Sequence, residues 1–275
     1  MEPVSIVIPA YNEEGAIAPV IRALRALPIH AESIVVDDGS SDTTAAVAEA
    51  EGAVVVRHPM NAGYGASIKD GIRAATHNTI LITDADGTYP ISRIPDLLEM
   101  FTKGFDMVVG ARQGRAYKGS FLKMPARIVF KWLVEFTTGR SIPDINSGMR
   151  VFRKQDVLPH FPEICNGFSF TTTITLIYML TGKFVTYMPI DYGARVGRSK
   201  VKIFRDSLRT LQYIVECIVR YNPLKLFLLL AVVAFIWGAL ASIVYGPFAL
   251  FLGGCTTLIV AALGLMTEMM RWTRK

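Results

Sequence analysis

Asp84-Ala85-Asp86 follows an apolar run, residues 79–83, and sets two carboxylates two positions apart. Carboxylate oxygens suit a hard divalent cation, and such a cation can bridge a diphosphate and neutralise it as a leaving group. An Asp-x-Asp pair is also common in solvated loops; here a strand-like run aims the pair at a strand end. Asp37-Asp38-Gly39-Ser40 closes a second run, 33–36. A carboxylate there can accept hydrogen bonds from a nucleobase or ribose, or serve a turn and helix cap together with Gly39 and Asp42. Pro9-Ala10-Tyr11-Asn12-Glu13-Glu14 closes a third, 4–8. Tyr11 can stack on a base and Glu13 accept from it; alternatively, the acidic pair complements the positive end of a helix.

Later in the chain Arg112, Arg150, Arg195, Arg198 and Lys200 accompany the hydroxyl of Ser199. Arginine forks and a lysine point charge suit phosphate oxygens. Each alone is an ordinary surface charge; as a group they match two anions, a donor diphosphate and a lipid phosphate. Asn61-Ala62-Gly63-Tyr64-Gly65 has part of a dinucleotide fingerprint, but Ile68 stands where the third glycine belongs and no acidic ribose partner follows, so a nicotinamide cofactor is excluded. A tight turn before a helix is expected there.

The elements that must position these groups alternate. Strand-like runs at 4–8, 33–36, 54–56, 79–83 and 107–109 are separated by helical patterns at 13–27, from Asp42 onward, at 65–75 and at 94–101. That order predicts an α/β domain with a mostly parallel sheet, whose ligands bind at the carboxyl ends of the strands. The acidic clusters and Gly110-Ala111-Arg112 all fall at those ends.

Residues 121–138 and 203–221 are basic, amphipathic and aromatic, the pattern of helices at a membrane surface. Residues 226–245 and 248–267 are two uncharged stretches of about 20 residues, each long enough to span a bilayer, with Gly246-Pro247 as the turn between them. Arg220 and Lys225 precede this hairpin and Arg271, Arg274 and Lys275 follow it, whereas the loop carries no charge. The positive-inside rule then puts both termini and the catalytic domain in the cytoplasm, at the inner membrane. The expected division is a catalytic domain over 1–200, an interface helix over 201–222 and the hairpin with its basic tail over 223–275. The 51% hydrophobic content and mean hydropathy of +0.36 come largely from this last part.

The net charge of +6, with basic residues gathered toward the apolar end and no nucleic-acid motif, points to lipid headgroups and phosphates. Three dispersed cysteines, Cys165, Cys217 and Cys255, have no metal-ligand spacing and read as reduced thiols. The run 4–8 is too short for the apolar core of a signal peptide.

With these motifs in view, the chain resembles family 2 glycosyltransferases of the GT-A fold, a Rossmann-like architecture. The resemblance lies in Pro-Ala-Tyr-Asn-Glu-Glu, Val-Val-Asp-Asp-Gly-Ser-Ser-Asp-Thr-Thr, Asp-Ala-Asp-Gly-Thr-Tyr-Pro and Val-Gly-Ala-Arg. Asp144-Ile-Asn-Ser-Gly-Met-Arg150, Arg195-Val-Gly-Arg198-Ser199-Lys200 and the hairpin are similar to the dolichyl-phosphate mannose synthase branch, which includes bacterial polyprenyl-phosphate glycosyltransferases. The resemblance implies inverting transfer of a sugar from a UDP- or GDP-linked donor to undecaprenyl or dolichyl phosphate. It implies Mg²⁺ or Mn²⁺ on Asp84 and Asp86. It implies a donor nucleotide pocket of Pro9, Tyr11, Glu13, Asp37, Asp38, Lys69, Asp84 and Ala85. Arg112, Arg150, Arg195, Arg198, Ser199 and Lys200 would hold donor and acceptor phosphates. Asp86, Asp144, Arg112 and Arg150 would form the catalytic set, with Asp144 orienting the acceptor. Branch members often assemble through their membrane helices, so a homo-oligomer is a further expectation.

Two departures stand out. Many branch members carry Gln where this chain has Thr88, which alters the metal surroundings or leaves them to water. Glu268-Met-Met-Arg271-Trp272 resembles the Gln-x-x-Arg-Trp signature of processive synthases, but its first residue differs and it follows the last span, so an interfacial anchor is expected instead. Two other readings remain: a transferase of the same fold with another lipid or glycan acceptor, and a membrane-anchored nucleotide-sugar-binding protein without turnover.

Overall fold

The computed structural model describes residues 2–114, 124–193 and 203–273. Its centre is a seven-stranded sheet. Five strands come in the first half: β1 (Val4–Ala10), β2 (Ala31–Asp37), β3 (Val54–Arg57), β4 (Thr79–Ile82) and β5 (Met107–Gln113). β6 (Arg150–Arg153) and β7 (Val185–Asp191) follow, and the strand order is β3-β2-β1-β4-β6-β5-β7. Every pairing is parallel except those of β6, which runs antiparallel to both β4 and β5. β6 and β7 carry no strand signal in the sequence reading. β6 is four residues long with arginine at each end, too short and too charged for periodicity to reveal it.

Seven buried residues of β1, mostly β-branched, fill the middle of the sheet, as befits a strand covered on both faces. Successive side chains alternate: Ile6 and Ile8 enter one core layer and Val7 the other. The first layer is closed by α1 (Ile17–Arg25), α2 (Thr44–Ala50) and α4 (Ile94–Phe101). α1 buries Ile17, Val20, Ile21 and Leu24, a stripe at helical spacing. The second layer is closed by α3 (Tyr64–Ala74), α5 (Met124–Thr138), α7 (Phe170–Leu180) and α8 (Ile203–Tyr221), with a single turn, α6 (Lys154–Val157), between β6 and α7. α7 is buried through nearly its whole length and rich in threonine; Thr173 and Thr175 donate to the carbonyls of Ser169 and Thr171, so their hydroxyls are satisfied inside the core.

α9 (Pro223–Tyr245) and α10 (Pro247–Trp272) form the hairpin, with Gly246 at φ 77° in the turn. Both are long and apolar enough to cross a membrane, and only 11% and 6% of their apolar windows are buried in the protein, so neither is a core helix. Gly238 and Gly253 bring the two backbones together: a Cβ on Gly238 would stand 2.6 Å from the Gly253 Cα. The hairpin also docks on the rest of the chain. Lys225 Nζ donates to the carbonyls of Phe136 (2.9 Å) and Thr137 (3.3 Å) at the end of α5. Arg271 donates to the carbonyl of Tyr221, the last residue of α8, and to Glu268. Two cations expected at lipid headgroups thus satisfy carbonyls at helix C-termini.

Candidate active site

The loops after β1 and β2 are laced together. Asn12, at φ 51°, donates its amide to Ser40 Oγ (2.9 Å), and its side-chain oxygen accepts from the amide of Ser41 (2.8 Å). The Glu13 amide donates to Thr44 Oγ1 (2.8 Å), and Glu14 accepts from Thr43. This lacing holds Tyr11 and Glu13, both half-buried, over the ends of two adjacent parallel strands. Pro9 is buried within β1 opposite Val36, and Ala85 is 3% exposed, so each contributes backbone and packing there.

Asp37 and Asp38 are both buried, and the protein supplies donors to each. Asp37 Oδ1 accepts from the Ser40 amide (3.2 Å). Asp38 accepts from the amides of Ala62 (2.8 Å) and Gly63 (2.9 Å) and faces His58 Nδ1 (2.8 Å), whose Nε2 faces Asp70 (3.1 Å). Asp38 therefore pins the loop that enters α3, and Gly39, at φ 71°, permits the close crossing: a Cβ there would meet the Met60 backbone at 2.7 Å. Gly63 ends that loop and α3 begins at Tyr64, the expected tight turn before a helix. Lys69, on the buried face of α3, donates to the Ile164 carbonyl and to Asn166 Oδ1. Burial pushes its ammonium pKa down, and its nitrogen is occupied tying α3 to residues 164–166.

Asp84 and Asp86 lie just beyond β4. Asp84 Oδ1 accepts from the Tyr64 hydroxyl (2.9 Å). Asp86 is 6% exposed, and its Oδ1 accepts from both the amide (3.1 Å) and the hydroxyl (2.6 Å) of Thr88, itself 1% exposed. The Thr88 carbonyl accepts from the Gly193 amide (2.8 Å), joining this turn to the segment after β7. Burial, then the charge of Asp84, hold the phenols of Tyr64 and Tyr89 well above the ordinary tyrosine range, so Tyr64 stays a donor. Tyr89 oxygen accepts from the Gly148 amide (2.6 Å). Gly148 is packed so tightly that a Cβ would lie 2.9 Å from both Asp84 Oδ1 and the Tyr64 hydroxyl. Among the described residues no group of three or more His, Cys, Asp or Glu could hold a metal. Two carboxylates alone fit a cation of the Mg²⁺ type, which keeps waters and takes its remaining oxygens from substrate phosphates.

Antiparallel β6 brings a second set of residues to the same end of the sheet, because its first residue, Arg150, pairs with Ile82 and Val109. Arg112 and Asp144 meet there in a bidentate pair, Nε to Oδ2 at 2.7 Å and Nη2 to Oδ1 at 3.0 Å. The guanidinium also lies 5.3 Å from the centre of the Tyr192 ring. Arg150, expected among the phosphate contacts, is enclosed in this structure. Its side chain is 0% exposed; it donates to the carbonyls of Ser147 and Thr171 (3.0 Å) and to Thr175 Oγ1 (3.1 Å). The guanidinium, anchored on these carbonyls, joins β6 to α7. Arg195, Arg198, Ser199 and Lys200 lie outside the described residues.

Sequence reasoning missed Tyr64, Gly148 and Phe168. Tyr64 sat in a motif read only as a turn. Gly148 carries no side-chain chemistry. Phe168 stacks on Tyr64 with ring centres 5.9 Å apart and planes at 18°, a contact between residues far apart in the chain.

Known proteins resemble this chain at several levels. Glucosyl-3-phosphoglycerate synthase from Mycobacterium tuberculosis, solved with phosphoglyceric acid, superimposes with a TM-score of 0.66 at 19% identity, over 78% of this chain and 79% of that one. The same enzyme has been solved with Mn²⁺, uridine diphosphate and glucosyl-3-phosphoglycerate, with a TM-score of 0.65. At that identity the likeness establishes the fold, GT-A. A dolichyl-phosphate hexose transferase of Haloferax volcanii is 29% identical over 73% of this chain and 87% of its own length. An undecaprenyl-phosphate 4-deoxy-4-formamido-L-arabinose transferase of Klebsiella pneumoniae is 29% identical over 89% of this chain and 78% of its own. The model of glycosyl transferase family 2 matches residues 5–161, more than half of the sequence, and with the carboxylate pair at the end of β4 it shows that the chain belongs to that family.

Proposed function

We propose that this chain transfers a sugar, with inversion, from a nucleoside diphosphate donor to a polyprenyl phosphate at the cytoplasmic membrane face. The observation that carries the proposal is the Asp84–Asp86 pair beside Tyr64, on a sheet whose chain continues into an apolar hairpin. Both polyprenyl-phosphate relatives span most of the sequence, which supports the acceptor class.

The nucleoside lies over the laced ends of β1 and β2, beside Tyr11 and Glu13, in a pocket whose walls Asp37 and Asp38 brace. Asp84 and Asp86 would hold Mg²⁺ or Mn²⁺. When bound, that cation neutralises the charge growing on the departing diphosphate. Tyr64 and Thr88 orient the two carboxylates by hydrogen bonds. An oxygen of the acceptor phosphate attacks the anomeric carbon as the bond from that carbon to the donor diphosphate breaks, and the nucleoside diphosphate leaves. The acceptor oxygen is already anionic at neutral pH, so no strong base is required. Asp144, locked on Arg112, acts by holding the Arg112 guanidinium in place beside the acceptor phosphate. Arg195, Arg198, Ser199 and Lys200 complete the phosphate contacts in this reading. The basic flanks of the hairpin and its uncharged turn support an orientation with both termini cytoplasmic. Residues 1–200 form the catalytic unit, with 201–222 at the interface and 223–275 as the membrane hairpin with its basic tail.

The test is transfer from a panel of UDP- and GDP-sugars to polyprenyl phosphate by the full chain, read as label entering the organic phase. Label from one donor, abolished by chelation and by Asp86→Ala, is expected. Donor binding without transfer to any polyprenyl phosphate would overturn the acceptor assignment.

A further inference from the structure

A polyprenyl phosphate poses a physical problem that the proposed reaction leaves open. Its phosphate must reach a charged site, yet the first isoprene unit is bonded directly to that phosphate. Within one residue's width of the carboxylates, the surface must turn from polar to apolar.

Among the described residues outside the hairpin, the large exposed apolar side chains are few and scattered, the ordinary condition of a protein surface. Phe168 differs from the rest by its position. The residue is 47% exposed, and its ring runs nearly parallel to that of Tyr64, with centres 5.9 Å apart; Tyr64 is the residue whose hydroxyl donates to Asp84. Tyr64 therefore links a half-exposed hydrocarbon side chain to Asp84. The loop that presents the ring is held from several directions. Lys69 grips the Ile164 carbonyl and Asn166 Oδ1, the Ala66 amide donates to the Asn166 carbonyl (2.9 Å), and the Gly167 amide donates to Cys165 Sγ (3.1 Å). Gly65 lets the backbones touch, for a Cβ there would overlap the Cys165 carbonyl. On the far side Ser169 Oγ is 2.9 Å from Thr210 Oγ1 of α8, the amphipathic helix that leads into the hairpin. Phe168 thus stands in a tethered loop between α8 and the Tyr64–Asp84 pair, and is partly open to solvent.

We infer that Phe168, stacked on Tyr64, is the platform for the isoprene unit adjoining the acceptor phosphate. This rests on the polyprenyl phosphate acceptor proposed above. A flat, pre-positioned ring offers an isoprene carbon skeleton apolar contact at little entropic cost, and it selects acceptors whose first carbons are branched hydrocarbon.

Steady-state transfer by the full chain, with donor and polyprenyl phosphate varied separately, tests this. Phe168→Ala is expected to raise the acceptor KM about tenfold through loss of apolar contact, with the nucleotide Kd and melting midpoint unchanged and with Phe168→Tyr restoring the KM. An unchanged acceptor KM overturns the inference, and so does a nucleotide Kd that rises in parallel. Should Phe168→Ala lower the melting midpoint, Phe168→Leu replaces it, keeping apolar bulk and losing the stacking plane. An acceptor KM raised about threefold at an unchanged midpoint then supports the platform, and an unchanged KM overturns it. Wild-type protein that transfers to no polyprenyl phosphate removes the acceptor reading itself, and the platform with it.

Discussion

The hydroxyl of Thr88 lies 2.6 Å from Oδ1 of Asp86, and the Thr88 amide donates to the same oxygen over 3.1 Å. The Thr88 side chain is thus turned toward the carboxylate, two residues back, and helps fix its direction. Thr88→Val keeps the shape and removes the donor. The variant is expected to bind Mn²⁺ about tenfold more weakly in the presence of nucleotide, the equivalent of roughly 1.4 kcal/mol for a hydrogen bond to a charged group. Thr88→Ser should restore it. Mn²⁺ titration followed by electron paramagnetic resonance reads this without turnover, and equal affinity in Thr88→Val would remove Thr88 from the support of the site.

Gly148 leaves little room for a methyl group, since a Cβ there would lie 2.9 Å from both Asp84 Oδ1 and the Tyr64 hydroxyl, and one of those side chains would have to shift. Gly148→Ala is expected to cost about 1–3 kcal/mol of stability, as overpacking does. It should also weaken metal-dependent nucleotide binding by more than Tyr64→Phe, which loses only the hydrogen bond. Equal behaviour of the two variants in nucleotide titrations would show that the close packing is immaterial.

Arg150 is assigned to the core, so its replacement should act on folding. Arg150→Met leaves the carbonyls of Ser147 and Thr171 without their donor and is expected to destabilise the chain by about 2–4 kcal/mol. Arg150→Lys should not rescue it, because one ammonium cannot reproduce the fork. Thermal unfolding checks this. A variant of wild-type stability with weakened donor affinity would return Arg150 to the phosphate site.

Burial holds the phenols of Tyr64, Tyr89, Tyr178 and Tyr187 above their ordinary range. In the unfolded chain they ionise near pH 10 (about the model-peptide value), whereas the folded protein retains their protons. Above that pH the folded state binds more protons than the unfolded one, so stability falls as pH rises; below it the contribution is fully present. Denaturation midpoints should therefore drop on the alkaline side of about pH 10, and phenolate absorbance from these residues should appear only with unfolding. Reversible ionisation of all ten tyrosines in the folded protein would contradict this.

Much of the architecture was legible because it is periodic. Five strands, the helices between them, the amphipathic segments and the hairpin announce themselves through apolar spacing and length, and residues 226–245 fall inside α9. β6 was not legible. Its four residues become a strand because β4 and β5 already flank the gap it enters, antiparallel to both.

The sequence by itself determined that a pair of carboxylates would end a buried strand, that further acidic loops would stand beside it, and that the same chain would carry an apolar hairpin. Residue type and local spacing suffice for that, since each statement concerns neighbours in the chain. Only the tertiary structure decided what each charge faces. Asp38 meets the amides of Ala62 and Gly63, Lys69 meets the loop at Ile164 and Asn166, Arg112 meets Asp144, and Arg150 meets the carbonyl of Thr171. A side chain's chemistry says what it can bind. Its partner is set by folding, which brings distant segments together and excludes water, and so decides which charges the protein itself occupies.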